Sequence, residues 1–447
     1  MATNPVQRIR EREYSHAIDL HLPDFLRDIA KVEPNPENPY LSLYLDWTPN
    51  YEDPGRLPAE ELKRSQRRNV ETVATSKRPS RTWFEQQAKA ALAELDPRSQ
   101  RYADLEADIL QINTYLDIDL DPSARGVFIL SNVAAGIFEP IVLGVPVETS
   151  MEFGPLPSLS QLAHLSEDYA TYGILVVNQK EAELSFVTQG TKDASIYLES
   201  NLYPRHQRQG SLSEVNYRER AGQRVLHFAK AIAEEVTVAL RNVDVDSLVL
   251  VGSTVFMTPL VNQFPEEAKS LIVAQIPYDL STTGGDLNAQ TLIELTAPHA
   301  AEAERAEEAK AVETLRNELG SGRGVAGTVD VLNALMAHQV HQLVINEDYH
   351  ERGWGDLALG IYGVGDIPAE HPTGGNVADL VEVDLVDAFV RLTLQSDGLV
   401  EFIHTAVAMT AETAEPGNRR GGELPRTEAA VSLDEVGGVG AILRFTS

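Results

Sequence analysis

The chain has 447 residues, 43% of them apolar, no cysteine, and a formal net charge of −30 at pH 7. That length predicts roughly two to four domains, each able to bury its own core. The missing cysteines exclude disulfides, thiolate metal ligands and a cysteine nucleophile. No apolar run approaches the ~18 residues that cross a bilayer, and the mixed charges of MATNPVQRIREREYSHAIDL lack the apolar core of a secretory leader. The expectation is a soluble cytoplasmic protein with no membrane partner. So acidic a chain, taken whole, is a poor match for sequence-independent nucleic-acid binding, which rests on Lys and Arg meeting phosphates.

The first elements read as follows. YLSLYLDW (40–47) alternates and predicts a strand. Helices are predicted over about 58–74, over 80–94 with Ser80 as N-cap, and over 98–116; the strand GVFILS (126–131) follows. MEFGPLPSLS (151–160), rich in Pro and Gly, reads as a linker. Beyond it, GILVVNQ (173–179) and AELSFVTQG (182–190) flank a tight polar turn, a hairpin signal, and DASIYLESN extends the sheet. A helix is predicted over about 215–241. SLVLVGS (247–253) is an apolar run ending in Gly-Ser, as a buried parallel strand does before a helix. TPLVNQFPEEAKSLI should supply that helix and VAQIPYD the last strand.

From about 293 the chain predicts a second α/β block. LTAPHAAEAERAEEAKAVETLRNELG is one long acidic helix with Gly320 ending it. VAGTVDVLNALMAHQ is a helix and HQLVINE (341–347) a strand. GNVADLVEVDLVDAFVRLTLQS reads as a helix, GLVEFIHTAV and VGAILRF as strands, and EPGNRRGGELPR (415–426) as a loop. The expected domains are 1–157, 158–292 and 293–447, and the fold class is α/β.

Two local basic clusters stand out from the acidic average. Arg56, Lys63, Arg64, Arg67, Arg68, Lys77, Arg78 and Arg81 face Glu60, Glu61 and Glu71. Arg205, Arg208, Arg218, Arg220, Arg224 and Lys230 face Glu214 and Glu219. Such patches suit an anionic partner, and solvated helix faces with pairs such as Glu60–Arg64 are the alternative. Other motifs are weaker. GRGVAG (322–327) matches a dinucleotide fingerprint but lies between two helices, so its glycines read as punctuation. His338 and His341, with Glu347 beyond, lack a well-placed third ligand. No metal or cofactor is expected.

The order of segments resembles the archaeo-eukaryotic class-1 release factor and Pelota family, bacterial branch. HLSEDYATYGILVVNQKEAELSFVTQG (164–190), RHQRQGSLSEVNYRERAGQRVLHFAKAIAEEV (205–236), SLVLVGSTVFMTPLVNQF (247–264), and GTVDVLNALMAHQVHQLVINED (327–348) with DEVGGVGAILRF (434–445) carry it. The resemblance implies a decoding-domain-like first block, a middle domain with an RNase H-like mixed sheet, and a C-terminal α/β sandwich of the kink-turn-binding ribosomal-protein type. ATSKRPSRTW (74–83) stands where release factors carry an Asn-Ile-Lys-Ser loop for stop codons; Lys77 and Ser80 are present but the motif is not. HQRQGS, within the tip 204–214, stands where the family has His-Gly-Arg-Gly-Gly-Gln-Ser, without the paired glycine or the glycine-glutamine order.

What the resemblance implies is a ribosomal A-site occupant that rescues or protects stalled or idle ribosomes without releasing peptide. Ribosomal RNA, with messenger RNA and P-site tRNA beside it, would be met by Arg205, His206, Arg208, Gly210, Ser211 and Arg218 at the tip. Arg64, Arg67, Arg68, Lys77, Arg78 and Arg81 would meet it from the first block. A translational GTPase would meet the C-terminal domain. The alternatives are peptidyl-tRNA hydrolysis through Gln209, and a non-ribosomal RNA- or protein-binding role on the same fold.

Overall fold

The computed structural model describes residues 6–13, 22–48, 78–121, 124–168, 171–178, 181–188, 191–200, 214–243, 245–278, 289–406 and 425–445. They form two compact units, one of Met1–His16 with Tyr169–Ala306, the other of Ala17–Asp168 with Glu307–Ser447. The expected boundaries at 157 and 292 follow neither division: the first strand belongs with the middle of the chain, and the first and last blocks share a unit.

The first unit is built on a mixed six-stranded sheet of β1 (Val6–Glu13), β6 (Tyr172–Val177), β7 (Glu181–Thr188), β8 (Thr191–Ser200), β9 (Ser247–Gly252) and β10 (Ile272–Pro277). Its order is β1-β8-β7-β6-β9-β10. β6, β9 and β10 run parallel, and β6, β7, β8 and β1 form an antiparallel meander. Leu175, Leu184, Leu248 and Leu250 face α5 (Glu214–Asn242), which buries Phe228, Ile232 and Val236 against them. Ile174, Val187, Val249 and Val251 face the other way, toward Leu292 of α8 (Ala289–Ser321). Both faces are covered, so β9 reads as continuous apolar sequence rather than as an alternation. The single helix expected after β9 is two, α6 (Thr254–Val261) and α7 (Glu266–Ser270). Pro265, the N-cap of α7, cannot continue a helix and divides them.

The second unit holds two sheets of four strands. In the first, β4 (Ile137–Leu143), β3 (Gly126–Asn132), β2 (Tyr40–Asp46) and β5 (Ser150–Gly154) lie antiparallel in that order. In β2, Leu41, Leu43 and Leu45 face the core shared with α2 (Pro79–Ala93) and α3 (Gln100–Thr114). Tyr40 and Tyr44 face the opposite core, with α1 (Leu22–Ala30) and α4 (Ser160–Asp168). The second sheet has the order β11 (Gly324–Ala326), β17 (Val439–Leu443), β12 (Val340–Asn346), β16 (Leu399–Ile403). Leu343 and Ile345 turn toward α9 (Thr328–Met336) and α10 (Leu385–Gln395), while Val344 turns toward α8 and α11 (Glu428–Asp434). This is an α/β sandwich.

Three sequence expectations are corrected. The 151–160 stretch is no linker: β5 covers its first four residues, Leu159 is fully buried, and the Ser158 N–H donates to Ser42 Oγ at 3.0 Å. The long helix ends later than Gly320, with Gly322 (φ +76°) as its left-handed residue. The run 375–396 is a strand before it is a helix: β15 (Leu380–Asp384) pairs with β13 (Arg352–Asp356), which pairs with β14 (Ile361–Val364) in a three-stranded sheet. Its...VEVD... alternation is the strand signal that the apolar periodicity of α10 outweighed.

Candidate functional site

Described residues flank the tip 204–214 on both sides. On one side Leu198 of β8 is buried; on the other, Val225 and Phe228 of α5 pack into the same core. Eleven residues, about 16 Å of helix at ~1.5 Å each, separate Glu214 from Val225. Arg205, His206, Arg208, Gln209, Gly210 and Ser211 lie outside the described residues. The backbone of Arg218 lies in the first turns of α5. The segment directly precedes the N-terminus of this helix in the chain, the end of a helix that favours anions.

The first basic cluster divides. Arg64, Arg67, Arg68 and Lys77 lie outside the described residues. Arg78 is a correction to the expected RNA contacts, because it is 4% exposed. Its Nη1 donates to the carbonyls of Trp47 and, at 3.4 Å, Ala124, and its guanidinium stacks 4.7 Å from the Trp47 ring. A guanidinium held in this way ties the start of α2 to β2 and has no face left for a phosphate. Arg81 is partly spoken for: Nε meets Glu85 at 3.2 Å and Nη2 meets Asp117 at 3.1 Å. Ser80 is no N-cap. It is buried inside α2, whose cap is Arg78 with Pro79 following.

The histidine pair does not converge. His338 sits beyond the end of α9 with Nδ1 2.8 Å from Ser396 Oγ, His341 is on β12, and Glu347 accepts from Thr405 Oγ1 at 2.6 Å. In GRGVAG, Gly322 and Gly327 take positive φ and flank β11, which is punctuation.

Two charged arrangements escaped the sequence reading. On α10, Asp387 and Arg391 are one turn apart. The Asp387 carboxylate accepts from the N–H groups of Leu159 (2.9 Å) and Ser160 (2.6 Å), capping α4 from another helix. Burial pushes its carboxyl up, and the two N–H bonds oppose that. Arg391, 3% exposed, donates to the carbonyls of Ala30 (2.7 Å), Val32 (3.3 Å) and Pro157 (3.2 Å), closing the end of α1. Burial lowers its affinity for the proton, and Tyr362, Asp387 and Tyr40 counter this. One helix thus places acid on a helix start and base on a helix end, as the dipoles favour. A lone Asp and Arg spaced i, i+4 in LVDAFVRLTLQ were the available signal.

The second arrangement joins α8 to β16. Glu308, 2% exposed, lies 2.6 Å from His404 Nδ1. Beside it the Glu401 carboxyl is pushed up to about 7, first by burial, then by Glu308 and Glu307, while Gln342 holds it back through a 3.2 Å hydrogen bond. Both arrangements hold segments together, and neither offers a nucleophile. Among the described residues no group of three His, Asp or Glu is arranged to hold a metal, and no helix is long and apolar enough to cross a membrane.

Residues 157–310 match the family described as "Bacterial archaeo-eukaryotic release factor family 10". No curated protein matches the chain. Among solved structures, an archaeal translation termination factor, aRF1, is 17% identical over 95% of this chain and 97% of its own, with a TM-score of 0.21. Dom34 of S. cerevisiae, described as a translation termination-like factor that interacts with Hbs1, is 11% identical over 74% and 83%, with a TM-score of 0.35. A chain from a model of ribosome-bound archaeal Pelota and ABCE1 is 12% identical over 99% of both, with a TM-score of 0.36.

Proposed function

From the premise that residues 157–310 make this chain a bacterial member of the archaeo-eukaryotic release factor and Pelota group, we propose that it occupies the ribosomal A site and acts in rescue or hibernation without releasing peptide. The observation that carries the reading is the residue content of the loop inside the matched segment. It keeps Arg205, His206 and Arg208, which suit ribosomal RNA, and it lacks the Gly-Gly-Gln order on which hydrolysis by this group depends. Without two glycines the backbone loses its access to conformations that other residues resist. Basic side chains ahead of a helix N-terminus remain an anion-binding arrangement whatever the loop's chemistry. In this reading Arg205, His206, Arg208, Gly210, Ser211 and Arg218 meet RNA near the peptidyl-transferase region. Arg64, Arg67, Arg68, Lys77 and the outer edge of Arg81 meet it nearer the decoding end. The site is cytoplasmic, and the C-terminal sandwich is the surface for a translational GTPase.

The test is co-sedimentation with purified ribosomes, paired with a peptide-release assay. Binding without release is expected. Replacing Arg205 and Arg208 by Ala removes two charges and should flatten the slope of log affinity against log salt by about 1.4–1.8. No sedimentation at low salt sinks the proposal. A second reading, hydrolysis of peptidyl-tRNA, is favoured by one residue, Gln209, which lies beside the position of the family's glutamine. It predicts peptide release that disappears in Gln209→Ala; equal rates in that variant rule the assignment out.

A further inference from the structure

HPTGGN (371–376) lies between β14 and β15 and joins a hydroxyl, an imidazole and a carboxylate through hydrogen bonds. His371 Nε2 is 3.1 Å from Asp356 Oδ2, at the end of β13, and His371 Nδ1 is 3.1 Å from Thr373 Oγ1. We propose that Thr373 is a nucleophile that takes the acyl group of a small carboxylic ester, with His371 as its base and Asp356 as the residue that positions the ring.

The hydrogen bonds fix the tautomer. Nδ1 also accepts from the Thr373 N–H at 3.2 Å, so it carries the lone pair. Nε2 then carries the hydrogen, and it faces a carboxylate, which can only accept. With Nδ1 unprotonated, the Thr373 hydroxyl is the donor in the bond between them. Hydroxyl donates to imidazole and imidazole donates to carboxylate, which is the relation acyl transfer uses. The ring nitrogens exchange the roles they have in serine proteases, but such a constellation is defined by geometry and not by position in the chain.

The base is held firmly and the nucleophile is accessible. Asp356 Oδ1 accepts from the N–H groups of Ala358 and Leu359, each at 3.0 Å, which leaves Oδ2 to the imidazole. The His371 side chain is fully buried and that of Asp356 is 5% exposed, so little water competes for their bond. Thr373 is exposed. An ester can therefore reach the hydroxyl without disturbing the pair beneath it, and an imidazolium formed during attack stays beside a carboxylate.

The two glycines after Thr373 keep the approach open. Gly374, at φ +80°, has nothing within 4 Å of the place a Cβ would occupy. At Gly375 a Cβ would meet the His371 ring at 3.1 Å, so a backbone without one closes over the base. Among the described residues the Gly375 N–H has no hydrogen-bond partner, which leaves a donor two residues from the nucleophile for a developing oxyanion. In the first step the bond from Thr373 Oγ1 to the carbonyl carbon forms and the ester C–O bond breaks. The hydroxyl proton passes to Nδ1 and from there to the leaving oxygen. Water then repeats the exchange on the acyl-threonine, restoring the hydroxyl and releasing the acid.

The test incubates the full chain with p-nitrophenyl acetate, following nitrophenolate release and the mass of the peptide that contains residues 371–376. An acetyl group on Thr373 is expected. Thr373→Val should abolish that label, and Thr373→Ser should keep it. His371→Gln should slow acylation about 100-fold. Asp356→Asn retains an oxygen for the two N–H groups, so it should lower kcat about 100-fold while KM stays within about threefold. Tryptophan fluorescence confirms that each variant is folded. No acetyl group on Thr373, or the same release rate in Thr373→Val as in the parent, overturns the proposal and leaves the three residues as a clasp on the loop.

Discussion

Arg391 and Arg426 are both paired arginines in the second unit, and they do opposite things. Arg391 is 3% exposed and spends its guanidinium on three carbonyls from residues 30, 32 and 157. Arg426, with a side chain 36% exposed, spends its own on two carboxylates, beside an amide oxygen that nothing satisfies. In the first site every group is matched from within the chain, so the charge serves folding. In the second the ion pairs lie partly in solvent, so water screens them and they contribute little to stability. The comparison extends to the first basic cluster. Arg78 behaves like Arg391, although by sequence it sat among residues expected to touch RNA.

The three tryptophans, Trp47, Trp83 and Trp354, all lie in the second unit, so tryptophan fluorescence in urea reports that unit without the other. The largest effect is expected from Arg391→Leu, which leaves the carbonyls at the end of α1 buried and unpaired and should cost about 3 kcal/mol. A loss under about 0.5 kcal/mol would dissolve the distinction between the two arginines. Arg78→Ala comes next, at about 2 kcal/mol, through lost stacking on Trp47 and unmet carbonyls. Its ribosome co-sedimentation should match that of the parent once both are folded, and weaker binding would return Arg78 to the RNA contacts.

Glu401→Gln should stabilise by about 1 kcal/mol at pH 8, after discounting the 1.36 kcal/mol per pKa unit for partial exposure. The sign follows from the direction of the shift. The folded carboxyl titrates near 7 against 4.5 in an unfolded chain, so folding disfavours its ionised form. Stability contributed by this group is therefore greatest below pH 4.5 and falls as the pH rises through 7. The variant should flatten that dependence, as followed by urea midpoints between pH 5 and 8. The smallest effect on stability is expected from Arg205→Ala with Arg208→Ala, within about 0.5 kcal/mol, while ribosome affinity falls. A large loss of stability there would mean that the tip, like Arg78, serves the fold.

Much of the fold was legible. The period-two pattern of 40–47, the hairpin at 172–188, the apolar run at 247–252 and the amphipathic stretch of α5 each became the expected element, because those signals come from residues a few positions apart. The candidate site was legible as a segment through its place in a family pattern. The 151–160 stretch misled because Pro and Gly mark bends whether or not the chain is buried there. The N-terminal strand was missed because VQRIRERE carries no apolar alternation; it is a strand by virtue of its partner β8.

By itself, the sequence determined most of the locally patterned elements, the α/β class, the two local excesses of basic charge, and the absence of Gly-Gly-Gln. The tertiary structure alone decided which charges are spent: Arg78 on Trp47, Arg391 on a helix end 361 residues away, and Arg426 on two carboxylates with an acceptor left over. The reason is range. Secondary structure is set by neighbours within a turn or a strand, whereas the fate of a charge depends on which distant carbonyl or carboxylate folding brings within 3 Å, and on how much water remains beside it.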